Sequence, residues 1–345
     1  MGLTGIALLI FPAALVFSYF GVRLIRDWSL KRGVLDVPNE RSSHITPTPR
    51  GGGIVLVSVA LAFYLLISFL YPATFSWGYL AGAVIIAVIS GLDDIYSVSM
   101  IWRFLAHSLA AFLVIADKGY WHEIVLPGTE MTVGLGFFGT ILIFLWIVWL
   151  INSYNFMDGI DGIAGVQAAV AGFGWLGVGW LTGVNDIALF GGVILFSSLG
   201  FLFHNLHPAR IFMGDVGSAF LGFTFAAMPL LARPNSAKPD TLLPLAGVVF
   251  VWFFLFDSIV TRLRRVFRGE KVWIAHREHL YQRLVSSGLS HSFVSMIYGG
   301  MTVIITASIL AGFAFPHRFD GVIIPLVCVV TTAFLLYCIK RRVLT

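Results

Sequence analysis

Gly52-Gly-Ile-Val-Leu-Val-Ser-Val-Ala-Leu-Ala-Phe-Tyr-Leu-Leu-Ile-Ser-Phe-Leu-Tyr71 carries no charged residue from end to end. A helix needs about 20 apolar residues to cross the roughly 30 Å hydrocarbon layer of a bilayer. The stretch therefore reads as a membrane span. Ten others read the same way: residues 3–25, 74–92, 103–116, 134–151, 161–182, 187–205, 216–232, 242–262, 294–315 and 321–339. The expected fold is all-α, a polytopic transmembrane bundle of about eleven spans that makes residues 1–345 a single integral-membrane domain.

Composition agrees with this. Hydrophobic residues make up 58% of the chain and charged residues 11%, against roughly 25% charged in soluble domains. Mean hydropathy is +0.91. That excludes an ordinary soluble protein, because one core cannot hide so much apolar surface. The first apolar segment is too long for a signal-peptide core and lacks a small-residue cleavage site, so it is expected to be retained as a span. Cys328 and Cys338 both fall in the last apolar stretch, which suggests neither a disulfide framework nor a cysteine zinc site.

Orientation follows from the basic residues, which are held on the cytoplasmic side. With the N-terminus periplasmic, only Lys118, Arg233, Lys238 and Arg318 fall outside, and the other eighteen of the 22 Lys and Arg fall inside. The C-terminus is then cytoplasmic, in a bacterial inner membrane. The net charge of +5 reports topology and attraction to anionic lipid, not nucleic acid. Five cytoplasmic loops result: 26–51, 93–102, 152–160, 206–215 and 263–293.

The unusual polar clusters all land in these loops. The first holds Asp36, His44 and Thr46-Pro-Thr-Pro-Arg50-Gly-Gly-Gly53. Its prolines stiffen the chain, and its glycines let backbone approach a ligand. The second opens with Gly91-Leu-Asp93-Asp94; two adjacent carboxylates at a membrane boundary repel and need a cation or a proton. The third reads Asn155-Phe-Met-Asp158-Gly-Ile-Asp161-Gly162, an i,i+3 acid pair expected on one face where a helix begins. The fourth, from Asn205 through Pro208 and Arg210 to Gly214-Asp215-Val-Gly217-Ser218, offers an acid beside backbone amides, which suits a metal–phosphate pair.

The fifth carries Arg264, Arg265, Arg268, Lys271, His276-Arg277-Glu-His279 and Gln-Arg283. No third soft ligand lies near its two histidines, so a basic cradle for a diphosphate is expected rather than zinc. Asp257, a turn inside the preceding span, is an intramembrane acid to be explained either functionally or by pairing with Arg262 or Arg264. Hard carboxylates without a Cys/His site suit magnesium, and arginines and histidines around them suit an anionic substrate. Together they point to phosphoryl transfer at the membrane surface.

In motif order and span count the chain resembles the polyprenyl-phosphate N-acetylhexosamine-1-phosphate transferases, a glycosyltransferase family 4 type. These include the translocase that makes the first lipid intermediate of peptidoglycan and the GlcNAc-1-phosphate transferases of O-antigen and enterobacterial common antigen synthesis. The resemblance implies Mg2+-dependent transfer (with Mn2+ as a substitute) of a sugar-1-phosphate from a UDP-sugar to undecaprenyl phosphate, releasing UMP. It implies Asp93 as the base, with Asp94 beside it as a second catalytic group and metal ligand, and Asp215 as the main magnesium ligand. Asn155, Asp158, Asp161, Asn205, His276, Arg277, His279, His44 and Arg50 would bind substrate, and a homodimer is compatible with it. The run His276-Arg-Glu-His279-Leu-Tyr-Gln-Arg283 is similar to the O-antigen-initiating branch. Two rival readings are a secondary transporter, which would need mid-bilayer acids or broken mid-span helices, and a non-catalytic scaffold for glycan assembly.

Overall fold

A computed structural model of the protein describes residues 2–38, 46–125, 131–232, 242–270, 277–315 and 320–344. The helices are α1 (Leu3–Arg32), α2 (Gly52–Leu70), α3 (Trp77–Tyr96), α4 (Met100–Lys118), α5 (Phe138–Met157), α6 (Ile163–Thr182), α7 (Asn185–Asn205), α8 (Asp215–Leu231), α9 (Leu243–Val249), α10 (Trp252–Phe267), α11 (Leu280–Ser286), α12 (His291–Ala314) and α13 (Asp320–Lys340). Two small antiparallel hairpins complete the described structure: β1 (Leu35–Asp36) with β2 (Thr48–Pro49), and β3 (Glu123–Val125) with β4 (Thr132–Gly134). The chain is an all-α membrane bundle.

Each of the eleven expected segments is helical, but they are not eleven equal spans. Among the described residues nine helices are long and apolar enough to cross a membrane alone. The expected span 242–262 is broken into α9 and α10, which meet at 65°, and α8 has only 17 residues. The break is stabilised from outside the segment. The buried Gln167 on α6 donates from Nε2 to the Phe250 carbonyl at 2.6 Å and accepts from Thr302 Oγ1 at 3.2 Å. A side chain on a neighbouring helix thus satisfies the backbone group that the bend leaves without a helical partner.

Burial separates the helices into layers. On α1, Leu8, Leu9, Phe17 and Leu24 face outward, as side chains solvated by lipid do. On α8, Phe220, Phe223 and Phe225 are buried, so this short helix runs through the centre of the bundle. The close pairing of α6 and α7 depends on small residues: a Cβ at Gly172 would meet the Leu195 backbone nitrogen at 2.7 Å, and one at Gly191 that of Leu176 at 2.5 Å. Such contacts let backbones approach, which drives helix association where lipid removes the hydrophobic incentive.

Candidate active site at one end of the bundle

The first and fourth loops are joined by backbone pairing. Phe212 N–H donates to the Pro49 carbonyl at 2.8 Å, Gly52 N–H to Phe212 O at 2.9 Å, and Gly53 N–H to Met213 O at 2.8 Å. This brings the start of α2 against the start of α8. A Cβ at Gly53 would lie 2.5 Å from the Cα of Gly217, so the approach requires glycine.

The second loop joins them through Asp94. Its Oδ1 accepts from the Asp215 N–H at 3.0 Å and its Oδ2 from the Val216 N–H at 3.1 Å. Asp94 therefore caps α8 across the bundle, where the helix dipole favours a carboxylate. Gly214 adopts φ +80°, and a Cβ there would meet Asp94 Oδ2 at 2.8 Å. Glycine at 214 is thus required by the cap. Arg50 spans Asp36 at 3.2 Å and Asp94 at 3.6 Å, and its backbone carbonyl accepts from Ser29 at 3.3 Å.

Asp93 and Asp215 are neighbours that share one arginine. Arg103 Nη1 lies 2.6 Å from Asp93 Oδ2 and 3.9 Å from Asp215 Oδ2. Asp158 faces the same group, with Asp215, Arg50, Asp94 and Asp161 as its charged neighbours. Burial first, and then the charge of Asp215, push the Asp158 carboxyl up to about 7. Four carboxylates thus meet two arginines. The excess of negative oxygen, with no cysteine or histidine among the cluster's members, fits a hard dication such as magnesium. Asp93, Asp94, Asp158 and Asp215 are the carboxylates that could hold it, each Asp94 oxygen keeping a second lone pair beside the amide it accepts from.

Asp158 and Asp161 do not share a helical face, contrary to expectation. Helix α6 begins only at Ile163, after Gly162 at φ +81°, and the intervening turn points the two acids apart. Asp161 Oδ2 lies 2.6 Å from His207 Nδ1 and accepts from Ala209 N–H at 3.1 Å, while its Oδ1 lies 3.4 Å from His291 Nδ1. Burial alone would raise the Asp161 carboxyl; the hydrogen bonds from His291, His207 and Ala209 outweigh it and hold the group below the usual carboxylate range.

Asn205 is buried and bridges two loops: Gly162 N–H donates to its Oδ1 at 3.0 Å, and its Nδ2 donates to Ile211 O at 2.9 Å. Asn155 is half-buried on the last turn of α5.

The fifth loop is held by Asp257, which pairs with neither Arg262 nor Arg264. This fully buried acid accepts from Thr261 Oγ1 (3.0 Å), His279 Nδ1 (3.0 Å), Leu280 N–H (2.9 Å), Tyr281 N–H (3.1 Å) and Tyr298 Oη (2.6 Å). It anchors the start of α11 and fixes the His279 ring through Nδ1. Tyr281 Oη donates to Phe156 O at 3.0 Å, against Gly159, where a Cβ would overlap it. The fifth loop is thereby fastened to the turn that carries Asp158. Arg277 is exposed beside this anchor. His44 and His276 lie outside the described residues.

Arg103, His207 and His291 were not singled out from the sequence as site residues. Arg103 was legible only as one more cytoplasmic cation, and the two histidines lie far apart in sequence in different loops.

Known proteins bear on this arrangement. Residues 76–233 match the family described as glycosyl transferase family 4. The chain is 29% identical to a probable undecaprenyl-phosphate N-acetylglucosaminyl 1-phosphate transferase of Bacillus subtilis, over 80% of this chain and 76% of that one. It is 30% identical to the decaprenyl-phosphate N-acetylglucosaminephosphotransferase of Mycolicibacterium smegmatis, over 81% and 75%. It is also 33% identical to the phospho-N-acetylmuramoyl-pentapeptide-transferase of Geobacillus kaustophilus, over 65% and 72%. With the acid-rich loops drawn to one end of a membrane bundle and relatives matched along most of its length, the chain belongs to the polyprenyl-phosphate hexosamine-1-phosphate transferase family.

Proposed function

We propose that the protein transfers an N-acetylhexosamine-1-phosphate, or its deoxy counterpart, from a UDP-sugar to undecaprenyl phosphate, releasing UMP. The observation that carries this reading is the meeting of Asp93, Asp94, Asp158 and Asp215 with Arg50 and Arg103 at one end of the bundle. The relatives' names, which specify polyprenyl-phosphate acceptors and N-acetylated amino sugars, support the substrate class.

In the reaction, an oxygen of the lipid phosphate attacks the sugar-bearing phosphorus of the UDP-sugar. The bond from that phosphorus to the bridging oxygen breaks, and UMP departs with the oxygen. Asp93 takes the proton of a monoprotonated lipid phosphate, and Arg103 keeps the Asp93 carboxylate in place at 2.6 Å. Magnesium, when bound to Asp215 and its neighbours, would offset the charge of two approaching anions. Arg50 is placed to stabilise charge developing on the departing nucleotide. His279, oriented by Asp257, Arg277 next to it, and Asn155 and Asp161 frame the donor. The membrane confines the lipid to the plane of the site, which removes part of the encounter cost.

The site end faces the cytosol of a bacterial inner membrane in this reading, with the N-terminus periplasmic and the C-terminus cytoplasmic. The distribution of Lys and Arg supports that orientation. The product would begin a lipid-linked cell-surface polysaccharide. Initiation of O-antigen rests on the His276-to-Arg283 run alone. A transporter reading gains a broken span at α9–α10, but the groove beside the bend, of about 360 Å³, is lined by Leu245, Val248, Trp252, Ile323 and Val327 and offers a polar solute little.

The test is UMP release by the purified chain given UDP-GlcNAc, undecaprenyl phosphate and magnesium, repeated across UDP-N-acetyl sugars. Lipid-dependent release with one of them is expected. No release with any would overturn the proposal.

A further inference from the structure

The two histidines around Asp161 take part in no step of the proposed transfer. We propose that Asp161, His207 and His291 form a binding site for a transition-metal dication of the zinc type, separate from the acid cluster. Asp161 comes from the α5–α6 turn, His207 from the α7–α8 loop and His291 from the first turn of α12. One ligand atom from each lies within 4.8 Å of the others.

The donor set decides the class of ion. Two imidazole nitrogens and one carboxylate oxygen suit zinc, cobalt and related borderline metals, whereas magnesium prefers oxygen alone. Zn–N and Zn–O bonds near 2.0–2.1 Å in a tetrahedron separate neighbouring ligand atoms by about 3.3 Å. The His291 Nδ1 to Asp161 Oδ1 spacing of 3.4 Å already matches. His207 Nδ1 lies 2.6 Å from the other oxygen, Oδ2, and would swing to face Oδ1 with the three ligand atoms already within 4.8 Å of one another. Its side chain is 44% exposed, against 10% for His291 and 8% for Asp161, so the arm that must move is the one free to do so.

The bonds that surround the site support it. Ala209 N–H holds Asp161 Oδ2 at 3.1 Å, and Ser295 Oγ donates to the Asp161 carbonyl at 2.9 Å. Outer contacts of this sort fix a ligand's orientation. A metal would displace two contacts, the one from Asp161 N–H to His291 Nδ1 at 3.4 Å and the one between His207 Nδ1 and Asp161 Oδ2 at 2.6 Å. Three protein ligands leave a fourth position open on the solvent side, beside His207, for water or an anionic group. An ion there would tie three loops together three residues from Asp158.

The test uses the tag-free full chain in detergent, stripped with EDTA, dialysed and titrated with cobalt(II) chloride. We expect a visible absorption band that saturates at one equivalent, is removed by zinc and withstands excess magnesium. His207→Ala and His291→Ala should each weaken binding at least about tenfold, and Asp215→Asn should leave it unchanged. If His291→Ala does not fold, the exposed His207 variant decides alone. No band, a band indifferent to the His207 variant, or a band lost in Asp215→Asn would overturn the site. Cobalt binding is read without turnover and UMP release is assayed in magnesium alone, so failure of this inference is distinct from failure of the transfer reading.

Discussion

Asp158, half-buried, and Asp161, buried, stand three residues apart on one turn, and their acidities are pushed in opposite directions. Asp158 meets mainly other carboxylates, and burial and Asp215 lift it to about 7. Asp161 meets two histidines and an amide, and these outweigh burial and hold it low. The difference teaches that donors, not depth, decide what a carboxylate in this protein can do. Asp257, deeper than either, takes five hydrogen bonds and serves as a structural anchor. Acids whose oxygens are taken by amides and histidines hold loops together; acids that face one another across an arginine are available to a cation and to a proton.

The contrast breaks most readily on turnover. Asp93→Asn removes the proposed base and should lower UMP release by about 10²–10⁴-fold, with the melting temperature in detergent nearly unchanged. A large loss of stability would move Asp93 into the structural group. Asp257→Ala should do the reverse in kind: it strands His279, Tyr298 and two amides, and the loss of one partner from such a buried pair costs about 3–5 kcal/mol, read as a lowered unfolding midpoint. A smaller cost is expected for Gly53→Ala, where the new methyl presses on Gly217. Overpacking of this kind costs about 1–3 kcal/mol, and the α2–α8 contact, not the acids, would bear it.

A further effect is on pH dependence. The folded state binds the Asp158 proton more tightly than the unfolded chain does. Its stabilising contribution is therefore complete below about 4 and is lost as pH rises through about 7 in metal-free protein. Thermal unfolding in EDTA between pH 5 and 8 should show this slope, and Asp158→Asn should make it shallower, leaving the share of Asp215, whose carboxyl burial and Asp94 also push up to about 7. Magnesium favours the ionised carboxylate and should reverse it.

Much of this was legible in the sequence, because apolar runs and acid spacings are local. All eleven apolar segments are helical, and the bend at α9–α10 was hidden because its compensation, Gln167, lies on another helix. The acids of the second, third and fourth loops were legible as chemistry. Their division of labour was not, since Asp94 as a cap on α8 and Asp161 among histidines are relations between loops. Arg103 looked like topology because nothing in its neighbourhood of sequence indicates that it reaches both Asp93 and Asp215.

The central claim is that the carboxylates that face one another across Arg103, Asp93 and Asp215, perform the transfer. It is tested most directly by measuring UMP release and unfolding midpoint together for Asp215→Asn in the same detergent preparation as the wild type. The account predicts that lipid-dependent release disappears while the midpoint stays close to that of the wild type. Normal release from the folded variant would contradict it.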